Sequence, residues 1–493
     1  MRQKPRTPEK QCSVCGLQGS LTPFTDVGRA TEAPVSLADD HYGQTRGDAL
    51  SLDYTYRIQA PHRPGSLARV TGAIGEGKGL IGDVTTLNVG REASTREITI
   101  EVTDSDHARR VADLIGELKD VEVLWFRDRA LIKHEGGKLT VEPRQPVRTV
   151  QDMRDVYTPG VARACTAIVE NPALASRLTM IGRSVAICTN GTRVLGLGDI
   201  GPAASMPVME GKAVFYRQLA GISAIPILID AKDPDTFVET VKRISPGFGG
   251  IHLEDISAPE CFEIEARLIE ELPLPVMHDD VHGTAVVSVA AAIVACRNAG
   301  LKLEEQAVGQ IGLGAAGYGI AALMADAGAR RVIGSDPNEA SHERAREKGI
   351  EILDLPALMR EADVVVATTG VPGILDPELV RKGQVILALT NPRPEIEIES
   401  ALAAGAAFAA DGTSVNNVLG YPGVFRGALL AGAATINREM KLAAAEALAD
   451  LTTGSELVPG ALDENVHRRV AEAVRAAAVE SGVAHPDHAP AGL

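Results

Sequence analysis

The sequence predicts an α/β protein of several domains, with a doubly wound parallel sheet in its second half and a smaller βαββαβ unit near its start. Three observations carry this. The chain has 493 residues, too many for one hydrophobic core, so roughly two to four folding units are expected. Apolar residues make up 45% and charged residues 23%, with 49 glycines, a usage that suits close-packed helices and tight backbone turns. Between residues 307 and 336 an apolar strand, a glycine-rich turn, a helix and a second strand follow one another.

The net charge of −16 comes without a continuous run of Lys or Arg, so binding to a nucleic acid backbone has little electrostatic support. No stretch approaches the roughly 18 to 20 uninterrupted apolar residues of a membrane helix, and the opening MRQKPRTPEKQ lacks an apolar signal core. A cytoplasmic protein is the expectation. Cys165, Cys188, Cys261 and Cys296 sit in apolar or helical sequence and read as reduced, buried thiols. Cys12 and Cys15 form a lone CxxC, at best half a zinc site.

Taken in order, residues 1–48 show no apolar periodicity and read as a flexible leader. Residues 49–135 supply YTYRIQA as a strand, GSLARVTGAIGEG as a helix, DVTTLNVG and TREITIEVT as strands, DHARRVADLIGELKD as a helix and VEVLWFRD as a strand. The segment HEGGKLTVEPRQPVRT reads as a linker. A second domain is expected over 140–282, a doubly wound domain over 283–440 and a helical segment over 441–493.

Gly312, Gly314 and Gly317 form a G-x-G-x-x-G set between strand and helix. Glycine is needed there because the backbone turns tightly and approaches a pyrophosphate at the helix N-terminus. Asp336 closes the following strand, where a carboxylate accepts from an adenosine ribose and repels a 2′-phosphate, so NAD is favoured. Ser335 and Arg331 nearby leave NADP open. A second cluster is acidic. Glu254 with Asp255, and Asp279 with Asp280, each follow an apolar run, and such pairs come together at high cost unless a cation neutralises them. Oxygen ligands select Mg²⁺ or Mn²⁺; a solvated turn between His278 and His282 is the alternative. The third cluster holds Arg193 and Lys212, the lysine at the start of an apolar helix, where lost solvation lowers its pKa toward that of a general base. A lone Lys, like Tyr157 in its pre-proline turn, more often has no chemical role.

Read together, YTPGVA, RVLGLGDIGPAASMPVMEGKAVFY, HLEDISAP, HDDVHGTAVV, IGLGAAGYG and NNVLGYPG resemble the malic enzyme family in its shorter bacterial form, over roughly residues 140–490. The resemblance implies Tyr157 as catalytic acid, Lys212 as base and Asp279 as the acid supporting that lysine. It implies Arg193, Asn391 and Asn417 at the substrate, with Asn391 also lining the nicotinamide, and Glu254, Asp255 and Asp280 as metal ligands. The implied reaction is the oxidative decarboxylation of malate to pyruvate and CO₂ with NAD and Mg²⁺ or Mn²⁺. Its rivals are non-oxidative decarboxylation to lactate and a non-catalytic metabolite sensor. The βαββαβ unit, with PHRPGSLARV after its first strand, resembles an ACT domain, which implies a small-metabolite effector and pairing into a homodimer or larger homo-oligomer.

Overall fold

The computed structural model describes residues 52–454, 456–490 and 493. The leader expected over 1–48, with Cys12 and Cys15, lies outside the described residues.

Alternation builds the first sheet. In β1 (Leu52–Pro61), Tyr56, Ile58 and Ala60 are buried while Asp53, Thr55, Arg57 and Gln59 take the other face. Against the buried face pack α1 (Ser66–Glu76), through Val70 and Ile74, and α2 (Ser105–Gly116), through Val111 and Ile115. Asp104 caps α2 by accepting the His107 N–H. With β2 (Leu80–Val89), β3 (Ala93–Val102) and β4 (Glu122–Asp128) the sheet is antiparallel in the order β2-β3-β1-β4. The expected βαββαβ succession is present. β2 lies at an edge and every one of its residues is exposed.

Short helices follow: α3 (Arg129–His134), α4 (Val150–Val156), α5 (Val161–Glu170) and α6 (Ala175–Leu178). Thr149 and Asp152 start α4 with a reciprocal capping box. Then β5 (Ser184–Thr189), α7 (Gly201–Ala220), β6 (Ser223–Leu228), α8 (Pro234–Ile244), β7 (Gly250–Leu253), α9 (Glu260–Glu271) and β8 (Val276–His278) form a parallel sheet in the order β6-β5-β7-β8. The runs SVAICT and GIHL are buried throughout, as strands covered on both faces must be.

α10 (Thr284–Asn298) leads into β9 (Ala307–Ile311), α11 (Ala315–Asp326), β10 (Arg331–Ser335), α12 (Ala340–Glu347), β11 (Glu351–Ile352), α13 (Leu355–Glu361), β12 (Val364–Ala367), β13 (Val385–Ala388), α14 (Ile398–Ala403) and β14 (Phe408–Asp411). These strands are parallel in the order β11-β10-β9-β12-β13-β14. Counted from β9 this is the doubly wound order whose direction reverses beside the first strand, the switch point at which such sheets bind their ligands. Three helices close the fold: α15 (Tyr421–Ala431), α16 (Arg438–Leu451) and α17 (Glu464–Glu480).

One continuous core joins β5, α7, α10, β9, β12 and the closing helices. The stretch Asp279–Asn298 has the length and composition to cross a membrane, but 78% of the apolar 18-residue span within it is buried inside the protein. Its sequence carries no polar stripe because apolar neighbours surround it. Cys188, Cys261 and Cys296 are buried free thiols as expected; Cys165 is exposed, because its face of α5 is left in solvent.

Candidate functional site

The glycine set does what its spacing requires. Gly312 has φ +86°, and a Cβ there would lie 2.8 Å from the Thr368 carbonyl oxygen. A Cβ on Gly317 would lie 1.9 Å from the Gly312 carbonyl oxygen, so the third glycine lets helix α11 sit on its own turn. Gly314 has no atom within 4 Å of that position, leaving the face open to a ligand. Asp336 pins this turn: one carboxylate oxygen accepts the Leu313 N–H at 2.6 Å and the other the Asn338 N–H at 2.7 Å. Arg331 stands at the opposite end of β10 and is spent on Glu351 and Glu361, so it places no cation beside Asp336.

At the carboxyl ends of β12 and β13 the buried Glu395 accepts from the Thr369 N–H at 2.7 Å and from the Thr390 hydroxyl at 2.5 Å. Sequence reasoning missed this residue, although a carboxylate four positions after Asn391 in a loop between strands was a visible signal. Asn391 itself is exposed and donates to the Gly412 carbonyl at 3.3 Å.

The acidic cluster assembles at the carboxyl ends of β7 and β8. Ligand-type oxygens of Glu254, Asp255 and Asp280 lie within 4.8 Å of one another. Asp255 has φ +54°, a strained conformation for a non-glycine residue, and its N–H donates to Asp280 at 3.0 Å. Its Oδ2 is buried with no hydrogen-bond partner. Burial first, and then the neighbouring carboxylates, push the Glu254 carboxyl well above its ordinary range and that of Asp255 up to about 7. An orphaned carboxylate oxygen facing an all-oxygen set, with its acids destabilised as anions, fits a hard divalent cation.

Lys212, on α7, reaches the same point. Its ammonium contacts Asp279, lies 2.9 Å from Glu254 and stands 4.7 Å from the centre of the Tyr421 ring. The sequence suggested a lowered pKa. Burial does lower it, but Asp279 and Glu254 outweigh burial, and the ammonium is held well above its usual range. Behind Glu254, His252 shares a 2.6 Å hydrogen bond between its Nε2 and the Glu254 carboxyl and meets the Tyr216 hydroxyl at 2.9 Å through Nδ1.

Arg193 is exposed on the loop after β5, and its N–H donates to the Asp255 carbonyl at 3.1 Å, so it borders the cluster. Asn417 donates to the Thr284 hydroxyl at 2.7 Å, directly after the acidic loop, while Asn416 caps its own turn. Tyr157 departs from expectation. It ends α4 with 70% of its surface exposed, and a phenol so open to water does not share the buried pocket of Lys212. The structure therefore brings together Lys212, Glu254, Asp255, Asp279 and Asp280, with Arg193 and Asn417 at their border, and leaves Tyr157 outside.

Residues 136–269 match the family model for the malic enzyme, N-terminal domain, and residues 287–372 that for the D-isomer specific 2-hydroxyacid dehydrogenase, NAD binding domain. The chain is 52% identical over 427 residues to NAD-dependent malic enzyme 1 of Bacillus subtilis, covering 86% of this chain and 97% of the relative. It is 40% identical over 469 residues to the NAD-dependent malic enzyme of Geobacillus stearothermophilus, covering 90% and 98%. Its fold superposes on the crystal structure of malic enzyme from Pyrococcus horikoshii with a TM-score of 0.69 at 35% identity, over 72% of this chain and 91% of the other. With half its residues shared along nearly the full length of a relative, and the acidic cluster and glycine turn in place, the chain belongs to the malic enzyme family.

Proposed function

We propose that the chain oxidatively decarboxylates malate to pyruvate and CO₂ with reduction of NAD, using Mg²⁺ or Mn²⁺, in the cytoplasm. The observation that carries this reading is the contact between the acidic loop and the dinucleotide helix. A Cβ on Gly319 of α11 would lie 2.1 Å from the Val281 carbonyl oxygen, between Asp280 and Thr284. That close packing supports reading the open glycine turn at one end of α11 and the cation-type carboxylates as parts of one crevice. Relatives named NAD-dependent malic enzymes support the choice of NAD, as does the absence of a free cation from the Arg331 side chain.

Within that crevice Glu254, Asp255 and Asp280 would hold the metal. Bound there, a divalent cation supplies Lewis-acid polarisation of the substrate oxygen, and the nicotinamide supplies the hydride acceptor. Lys212 takes the C2 hydroxyl proton. Asp279, whose carboxyl burial raises above its ordinary range, touches the ammonium and is placed to relieve it of a proton first. Arg193 and Asn417 orient the substrate carboxylates, and Asn391 the nicotinamide side. Tyr157 returns a proton to C3, which requires its burial. A homo-oligomer in which a second copy covers the exposed Val150, Met153 and Val156 of α4 supplies that burial.

We also read residues 49–135 as an ACT-like regulatory domain, 140–282 as the substrate and metal domain, 283–440 as the NAD domain and 441–493 as a helical closing segment. Regulation is supported by the linker: Lys138 donates to the Pro207 carbonyl at 2.7 Å and its N–H to Glu210 at 3.2 Å. Both lie on α7, the helix of Lys212.

The test is NADH formation from malate and Mn²⁺, followed at the nicotinamide absorbance together with the product. Pyruvate with stoichiometric NADH is expected. Lactate without net NADH would overturn the reading in favour of non-oxidative decarboxylation.

A further inference from the structure

The loop carrying Asp279 and Asp280 is a single π-helical turn, Asp279–Gly283, between β8 and α10. One such turn is a rare and intrinsically weak conformation, so its rigidity must come from what surrounds it. On one side it is gripped by glycines: a Cβ on Gly319 would meet Val281, one on Gly420 would lie 2.7 Å from the Gly283 carbonyl oxygen, and one on Gly283 would strike the Asp279 carboxylate.

On the other side stands Glu265, on α9, buried and absent from every site considered so far. One of its oxygens accepts the His278 backbone N–H at 2.7 Å, and the other meets His282 Nε2 at 3.0 Å. A single carboxylate thereby holds both ends of the turn. The remaining ring nitrogen, His282 Nδ1, lies 3.2 Å from the ammonium of Lys441 on α16. A lysine ammonium can only donate, so Nδ1 accepts and the Nε2–H is the one given to Glu265. The ring is then neutral, between one buried anion and one partly buried cation that balance each other.

We propose that Glu265, His282 and Lys441 form a positioning relay that fixes the acidic turn, so that Asp280 faces the metal and Asp279 faces Lys212; this rests on the metal reading above. The three residues touch neither metal nor substrate. Their effect is on how well the ligand set is organised before either binds.

Mn²⁺ binding to the metal-free full chain, without malate, tests this through the paramagnetic resonance signal of free Mn²⁺, with NAD binding by calorimetry as the measure of an intact fold. His282→Leu removes both hydrogen bonds and is expected to weaken Mn²⁺ binding roughly 10- to 100-fold at an unchanged NAD affinity. His282→Gln keeps a donor for Glu265 and an acceptor for Lys441 and is expected to bind Mn²⁺ like the unaltered protein. Unaltered Mn²⁺ affinity in His282→Leu, or equal losses in both variants, would overturn the relay. If His282→Leu no longer binds NAD, Lys441→Met decides: weaker Mn²⁺ binding at constant NAD affinity supports the relay, and no change overturns it. Failure of the unaltered protein to bind Mn²⁺ at all would instead sink the metal reading and this inference with it.

Discussion

Lys212 lies between two carboxylates and above an aromatic ring, and each neighbour favours its charged form. Replacing it by Ala should cut kcat by about 10² to 10⁴ or more while leaving the NAD dissociation constant unchanged, because the glycine turn draws no support from it. A near-normal rate would remove it as the base. Glu265 gives a pH dependence. Burial, the largest single influence, would raise its carboxyl, but its partners His282, His278 and Lys441 together outweigh burial and hold it at about 2, below the ordinary 4.5. Its stabilisation is therefore complete above the ordinary carboxylate range and is lost as pH falls toward 2, on the order of 3 kcal/mol in all. The stability difference between the unaltered chain and Glu265→Gln, from denaturant melts at pH 7 and pH 3, should narrow on the acid side. A gap that widened would contradict this assignment.

These residues also show what a linear sequence reveals. Gly312 and Gly317 were legible because their need is covalent: no side chain fits where the Thr368 and Gly312 carbonyls stand. Glu254 and Asp280 were legible because adjacent carboxylates after apolar strands are expensive without a cation. Glu265 was not, since ECFEIEARLIEE reads as an amphipathic helix with acids in water, and only the fold brings Lys441 behind it. Tyr157 was legible as a residue type, but a chain alone does not tell which surface will cover it.

At the level of elements, α11 depends on closeness rather than on apolar mass. Gly319→Val would drive a side chain into the Val281 backbone, and the helix and the acidic turn must separate. A loss of about 1 to 3 kcal/mol is expected, read as a lowered thermal midpoint, with weaker Mn²⁺ binding alongside. An unchanged midpoint would show that the contact is not tight. The β9-to-β14 sheet was readable because its short apolar runs end in glycine and threonine loops, whereas the small helices α3 to α6 were not, having too few turns to show a period. Nor did an alanine-rich helix such as α10 announce which neighbours would wrap it.

Over the whole molecule, Lys138, in the segment that follows the N-terminal sheet, hydrogen-bonds α7, the helix of the base. Lys138→Ala should leave turnover without effector close to that of the unaltered chain, and should abolish any response to an activating or inhibiting metabolite. Velocity curves at several effector concentrations would show it, and an intact response would mean that the signal takes another route. The abutment of Val281 on Gly319 has a thermodynamic corollary. Whatever stiffens one partner spares the other part of its ordering cost, and the sparing must be mutual. Nucleotide should therefore sharpen the protein's appetite for Mn²⁺ by the same factor that Mn²⁺ sharpens its appetite for nucleotide, and calorimetric titrations run in both orders should close on one number.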